Sequence, residues 1–360
     1  MTTTRVIALF ALLLSTACDG AAPVDAGLPE SDAGPPDAGR APDPTEARFA
    51  SVSATGPGPW DLWGFQVAAI SVDEAIVLGG TDTGTGSSTF EDVWRVRVGA
   101  DGTLSATAIE ATGPAPRYCG CMAYDAARDT LVVYGGRDLT GPVPDWADTT
   151  WELDLTAATW TERSAAGPIG TLGCAMAYSP SDGRTYLFGG ANRAGAYDRM
   201  QRYDRADGIW TELAAEGPVP RYDAVMLPDG GRLLLFGGSF GASGAAFYAD
   251  LWSFDVASET WSEIALPEGP PGRRTGWVVR DPERPGLYVG FGFDGSMNPL
   301  GDLHYADLEA LTWTEIELPF DGPAPRGFSP ALPGGESALG VMTGGNGGRQ
   351  GVNESWRLVR

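Results

Sequence analysis

A glycine pair closing an apolar run returns along this chain at a nearly fixed interval. It stands as Leu78-Gly79-Gly80, Tyr134-Gly135-Gly136, Phe188-Gly189-Gly190, Phe236-Gly237-Gly238 and Thr343-Gly344-Gly345. A sixth copy, Tyr288-Val289-Gly290-Phe291-Gly292, carries Phe291 where the first glycine is expected. The second glycines, at 80, 136, 190, 238, 292 and 345, lie 56, 54, 48, 54 and 53 residues apart. Self-similarity at a period near 50 means that each unit buries its apolar face only by stacking on its neighbours. The 360 residues are therefore read as one repeat array behind an N-terminal extension, not as several unrelated domains.

Other features recur in a fixed order around the glycine pair. Gly-Pro-x-Pro-Arg or a relative comes first, at 113–117, 217–221, 269–273 and 322–326. An apolar stretch follows, such as Cys121-Met122-Ala123-Tyr124, then a turn and the run that ends in the glycines. Beyond a variable loop comes Asp and then an aromatic, as in Asp92-Val93-Trp94 and Asp250-Leu251-Trp252. A second tryptophan lies nine residues further on, at Trp160, Trp210, Trp261 and Trp313. Short alternating runs between turn signals give four strands, A to D, per unit. Gly 51 and Pro 28, about a fifth of the chain, suit such a turn-rich all-β protein.

This pattern resembles the kelch repeat over residues 47–360. The resemblance implies a β-propeller of four-stranded antiparallel blades around a central channel. Two local departures are Phe291 and the absence of histidine from strand A. The chain ends on Glu354-Ser355-Trp356-Arg357-Leu358-Val359-Arg360, a strand C with no D after it. Phe49 lies seven residues before Gly56, as Trp160 lies seven before Gly167. Residues 48–54 are thus expected to supply the missing strand, giving six blades with the last closed by the N-terminus.

Ahead of the repeats, Arg5 followed by the apolar run Val6–Leu14 and the small residues Ser15-Thr16-Ala17 reads as an export signal over 1–17. Nine residues span roughly 14 Å as a helix, too short to cross a bilayer. Leu14-Ser15-Thr16-Ala17-Cys18 resembles the lipobox of bacterial lipoproteins, although leucine is usual where Ser15 stands. The resemblance implies a lipidated Cys18 and an exported protein anchored in a bacterial cell envelope. Residues 19–46 repeat Asp-Ala-Gly three times among many prolines and have almost no bulky apolar side chain. Such a stretch cannot bury enough surface to order itself, so 18–46 is read as a tether.

All 24 basic residues are Arg, against 47 acidic ones, for a net charge of −23. That charge opposes nucleic acid and anionic lipid surfaces as partners. In a repeat protein, what recurs is structural, and function is sought where the pattern breaks. Glu162, Glu212, Glu263 and Glu315 recur and read as a solvated rim. The Asp before strand C reads as a local turn residue, and His304, the only histidine, as a replacement for a packing aromatic. One histidine excludes a Ser-His-Asp set, and no P-loop or metal motif is present, so no cofactor or metal is expected.

The candidate ligand-binding residues are those at the Pro-Arg position, which should ring the channel mouth: Trp60, Arg117, Thr171, Arg221, Arg273 and Arg326. Four guanidinium groups there would suit an anion held bidentately. The loops after each glycine pair share that face and carry Trp146, Tyr197, Phe240 and Tyr248. Cys119, Cys121 and Cys174 fall in strand A of neighbouring blades, and an exported protein permits one disulfide, Cys119 or Cys121 with Cys174. The expectation is a monomeric, non-catalytic module that binds a protein segment or a glycan. The alternative is a sugar-modifying enzyme, similar to the sialic acid mutarotases, holding an anionic substrate at the arginines.

Overall fold

A computed structural model describes residues 43–82, 91–138, 145–163, 167–241, 246–335, 338–348 and 352–360. The export signal, Cys18 and residues 19–42 of the tether lie outside the described residues. At the end of the segment read as a tether, Asp43 caps a short 3-10 turn, Pro44–Glu46, by accepting from the Thr45 N–H at 3.0 Å.

Six antiparallel sheets follow one another around an axis. Blade 4 is representative, with strands Val225–Asp229, Arg232–Phe236, Leu251–Asp255 and Thr260–Ile264 paired in that order. Strand B of each blade is buried on both faces, as in Leu233, Leu234, Leu235 and Phe236, because sheets stack on either side of it. Aromatic side chains stitch blade to blade. The strand D residue Trp210 meets Tyr134 of the preceding blade at 5.8 Å between ring centroids, Trp261 meets Phe188 at 5.2 Å, and Trp313 meets Phe236 at 5.9 Å.

Closure follows the same rule. Arg48–Val52 pairs antiparallel with Ser355–Val359, and Phe49 meets Phe291 at 5.5 Å and Trp277 at 5.6 Å. Phe49 is thus the strand D aromatic of blade 6, whose other strands are Leu332–Pro333 and Gly340–Thr343. The donated strand is shorter than 48–54. Ala54–Thr55 leaves it to pair in parallel with Leu104–Ser105, so the N-terminal segment straps blade 6 to the outer edge of blade 1.

The glycine pair has a backbone task. Each second glycine N–H donates to the carbonyl at the Pro-Arg position of the next blade, as Gly190 does to Arg221 at 2.9 Å and Gly345 to Leu62 at 3.0 Å. A Cβ on the first glycine would run into that same carbonyl, 2.4 Å away at Gly189. In blade 5 the order is inverted. Gly290 stands where Phe236 does in blade 4, and the buried ring comes one residue later, from Phe291 at φ 55°.

Candidate functional site

The blade hydrogen bonds define which residues are equivalent, and they move one sequence expectation. Leu62, not Trp60, accepts the inter-blade bond in blade 1, so Leu62 occupies the Pro-Arg position. Trp60 sits two residues earlier, with its indole N–H donating to the Gly56 carbonyl at 3.1 Å.

The four arginines at this position do not open onto the channel. Arg117 is 5% exposed, and Arg221, Arg273 and Arg326 are 1% or less. Each donates back through Nε to the carbonyl two residues earlier, and through Nη1 to a carbonyl at the glycine pair or to its blade 5 counterpart, Phe291. Arg221 also forks onto Asp250 at 2.6 and 2.9 Å, Arg273 onto Asp302 at 2.7 and 2.7 Å, and Arg326 donates to Glu354 at 2.9 Å. In blades 4, 5 and 6 the acid before strand C is therefore an ion-pair partner within its own blade, not a local turn residue.

The aromatic two residues after each acid completes the set. Trp252 donates to Asp250 at 2.7 Å, Trp356 to Glu354 at 3.0 Å, and His304 Nε2 lies 2.9 Å from Asp302. His304 replaces both the ring and the N–H of a tryptophan. Burial pushes the Asp302 carboxyl up, but the hydrogen bonds from Arg273 and His304 outweigh it and hold it well below the usual range. These triads brace blades 4, 5 and 6. Blades 1 and 3 have no arginine at the position, blade 1 carrying Leu62 and blade 3 Thr171, whose hydroxyl donates to the Ala191 carbonyl at 3.1 Å.

Of the loop residues, Tyr248 covers the Arg221 guanidinium at 4.2 Å, and the Tyr197 hydroxyl donates to Asn192 at 2.8 Å. Trp146 lies between Arg137 and Arg193, at 5.1 and 5.0 Å from its ring. Phe240 is 41% exposed. These four do not converge on one point. Cys121 and Cys174 form a disulfide with their Cα atoms 5.7 Å apart, linking blades 2 and 3, and among the described residues Cys119 is the free thiol.

What does converge lies just after the arginine position. Gly64, Cys119, Gly173, Asp223, Thr275 and Phe328, one from each blade, all have left-handed backbones with φ between 51° and 65°. Backbone hydrogen bonds link five of the six neighbouring pairs. Cys119 donates to Gly64 and Gly173 to Cys119 at 2.7 Å, Asp223 to Gly173 at 2.6 Å, Thr275 to Asp223 at 2.9 Å and Gly64 to Phe328 at 3.2 Å. Positive φ is strained for four non-glycine residues, above all for β-branched Thr275, and these five bonds offset that strain.

The side chains on this ring break the repeat. Asp223 has a side chain only 6% exposed, 3.6 Å from the Arg274 guanidinium. Burial pushes its carboxyl up to about 6, against a weaker opposing pull from Arg274. Burial and then the nearby Asp223 push the Cys119 thiol well above its usual value, so it is held as the neutral thiol.

One residue ahead of the ring stand Trp63, Tyr118, Leu172, Tyr222 and Arg274, all half-buried, with Gly327 in the sixth place. They form a collar. Trp63 meets Tyr118 at 5.9 Å and Phe328 at 5.2 Å, and Arg274 lies 5.6 Å from the Tyr222 ring and 5.8 Å from that of Phe328. Sequence reasoning passed over these residues, although each follows directly on the repeat hallmark, as in Arg221-Tyr222 and Arg273-Arg274. Below the ring, the inner strands of all six blades line an axial cavity of about 230 Å³. Among the described residues, no cluster of three or more His, Cys, Asp or Glu could hold a metal ion.

The six sheets, the closing N-terminal strand and the axial ring define a six-bladed kelch-type β-propeller. The KLHDC2/KLHL20/DRC7 Kelch-repeats domain matches residues 64–221 and 145–345, together more than half of the chain. The chain belongs to this kelch-repeat family. It is similar to the chicken Rab9 effector protein with kelch motifs, 30% identical over 178 residues covering 47% of each protein. The human Rab9 effector protein with kelch motifs is 27% identical over 183 residues, covering 47% of this chain and 48% of that one. A segment covering 40% of this chain and 3% of the Chlamydomonas reinhardtii flagellar outer arm dynein alpha chain is 31% identical. The chain spans about half the length of the Rab9 effector relatives that it matches. The solved structure of YjhT superimposes with a TM-score of 0.64, over 84% of this chain and 96% of that one, at 16% identity. That likeness is one of fold.

Proposed function

We propose that this chain is an envelope-anchored, non-catalytic binding protein whose propeller head grips a protein segment on the face bearing the D–A and B–C loops. The observation that carries the reading is the collar. Trp63, Tyr118, Tyr222 and Arg274 are gathered around the axis on one face, and the triads of Arg221 and Arg273 brace the strands beneath Tyr222 and Arg274. Aromatic and arginine side chains of this kind dominate the energetics of protein interfaces, because they bury much area for little lost conformational freedom. The kelch-repeat relatives named as a Rab9 effector support a protein as the partner class. Trp146 with its two arginines, and exposed Phe240, extend the surface outward. Arg137, Arg193 and Arg274 would favour a segment carrying carboxylates, against the negative background of the rest of the chain. The anchor rests on Cys18 and its flanking residues, and 19–42 would hold the head off a membrane.

Site-specific photo-cross-linking tests the reading. A benzophenone side chain at Tyr118 or Tyr222 should capture a discrete protein partner in cells, and one at exposed Glu162 on the outer edge should not. Capture should fall when Arg274 is replaced by Ala. Equal capture from the edge and the collar would contradict the assignment. Labelling with a radioactive fatty acid that persists in Cys18→Ala would contradict the anchor independently.

A further inference from the structure

The seam between blades 6 and 1 breaks the repeat in a way that stacking of the blades does not require. Two residues before the arginine position the other blades carry Ala115, Ile169, Val219, Pro271 and Ala324. One residue before it they carry Pro116, Gly170, Pro220, Gly272 and Pro325. Blade 1 has Trp60 and Asp61 there instead. Both line a surface cleft of about 550 Å³ on the D–A and B–C loop face, facing Asn353, Glu354 and Trp356 of blade 6. Val52 and Ala54 complete it where the N-terminal segment crosses to blade 1. Its polar groups are open to solvent, with Asp61, Asn353 and Glu354 exposed and both indoles half-buried. Trp60 is fixed in place by its N–H on the Gly56 carbonyl at 3.1 Å, and by Gly58, where a Cβ would come within 2.4 Å of the ring. Trp356 is fixed by its N–H on Glu354 at 3.0 Å.

We infer that this cleft takes a guanidinium group on an apolar stem, supplied as an arginine side chain of the partner protein. The charge accounting selects a monocation. Glu354 is already set against Arg326, 0% exposed, at 2.9 Å, so that pair is neutral. Asp61 has no ion pair or side-chain hydrogen bond among the described residues, which leaves the cleft one uncompensated negative charge. A guanidinium meets both features at once, because its face stacks on an indole while its edge forks onto a carboxylate. An ammonium is compact and strongly hydrated, and does neither as well. Val52 and Ala54 suit the stem. The source of the cation rests on the protein partner proposed above, whereas the chemistry of the cleft does not.

Small probes test this on the full-length protein, read at the indole N–H resonances of Trp60 and Trp356. Ethylguanidinium should move both saturably at millimolar concentration. Ethylurea, of the same shape without the charge, should bind about ten-fold more weakly. Asp61→Asn should fold with the wild-type melting temperature, since the side chain is exposed, and should bind ethylguanidinium about ten-fold more weakly. Equal binding of the two probes by the wild type overturns the inference, a comparison that needs no variant. So does an Asp61→Asn protein that binds ethylguanidinium as the wild type does. Displacement of ethylguanidinium by methyl glucoside overturns it in favour of a glycan. N-acetylarginine methylamide, which carries the side chain between two peptide bonds, should bind within about three-fold of ethylguanidinium. Its exclusion would leave a free guanidine as the ligand and overturn the side-chain source. Collar capture without probe binding sinks the cleft alone, and probe binding without collar capture sinks the partner and leaves the guanidinium site standing.

Discussion

Asp223 gives the most quantitative test of the axial ring. Its carboxyl titrates near 6 in the folded protein, against an ordinary aspartate value of 3.8, because burial disfavours the charged form more than Arg274 favours it. Between these two values the folded state holds the proton more tightly than the unfolded chain. The group therefore favours folding below about pH 4, and that advantage is lost as pH rises through about 6. About 2 pH units at 1.36 kcal/mol each make the buried carboxylate a burden of about 3 kcal/mol at neutral pH. Asp223→Asn is neutral in both states and tolerates the left-handed backbone at φ 58°. Its melting temperature, measured against wild type from pH 4 to 7.5, should gain on wild type by roughly 5 °C across that range. The attraction to Arg274 acts on the carboxylate alone and is already contained in the value of about 6, and Cys119 stays protonated throughout, so the slope carries the test. A difference between the two proteins that is flat with pH would refute the buried, ring-held carboxylate.

Other expectations follow from the same geometry. Arg273→Ala strands Asp302 and should cost about 3 kcal/mol in chemical unfolding, whereas exposed Arg193→Ala should stay within about 0.5 kcal/mol; equal effects would contradict the triad as a structural device. Phe49→Ala removes a ring that is 6% exposed and edges onto Phe291 and Trp277, and should cost about 3 to 5 kcal/mol. The Cys121–Cys174 bridge spans 53 residues of sequence, so its reduction should cost about 4 kcal/mol by the chain-entropy estimate. Alkylation of the native protein should leave all three of Cys119, Cys121 and Cys174 unmodified, and without reductant unfolding should expose Cys119 alone. Labelling of Cys121 under those conditions would contradict the pairing.

The fold was legible because its determinants are local and repeated. Glycine pairs, strand D tryptophans and turn prolines each return from blade to blade at nearly fixed offsets, and Phe49 showed itself as a seventh-residue match to Trp160. Blade 1 misled because Gly56-Pro57-Gly58-Pro59-Trp60 imitates the repeat hallmark two residues early. Distance to the second glycine would have resolved it. The hallmark residue stands 17 to 19 residues before that glycine in the other blades, 18 from Leu62 and 20 from Trp60. The triads were less visible, since Arg221 and Asp250 lie 29 residues apart, as do Arg273 and Asp302. Within a single unit that separation reads as two unrelated turn residues, and only its return reveals a pair. The ring and its cavity were hidden for a different reason. Cys119, Asp223 and Thr275 share no motif, and closure of the propeller alone brings them to one axis.

Closure of the sixth blade by the N-terminal strand places every one of those residues, and backbone amide exchange on the intact head tests it most directly. The amides of Arg48–Val52 that bond to Ser355–Val359 should exchange as slowly as those of the inner strands and be released only with global unfolding. Exchange of that segment within seconds, while the other five blades stay protected, would contradict the closed ring and the axial site built upon it.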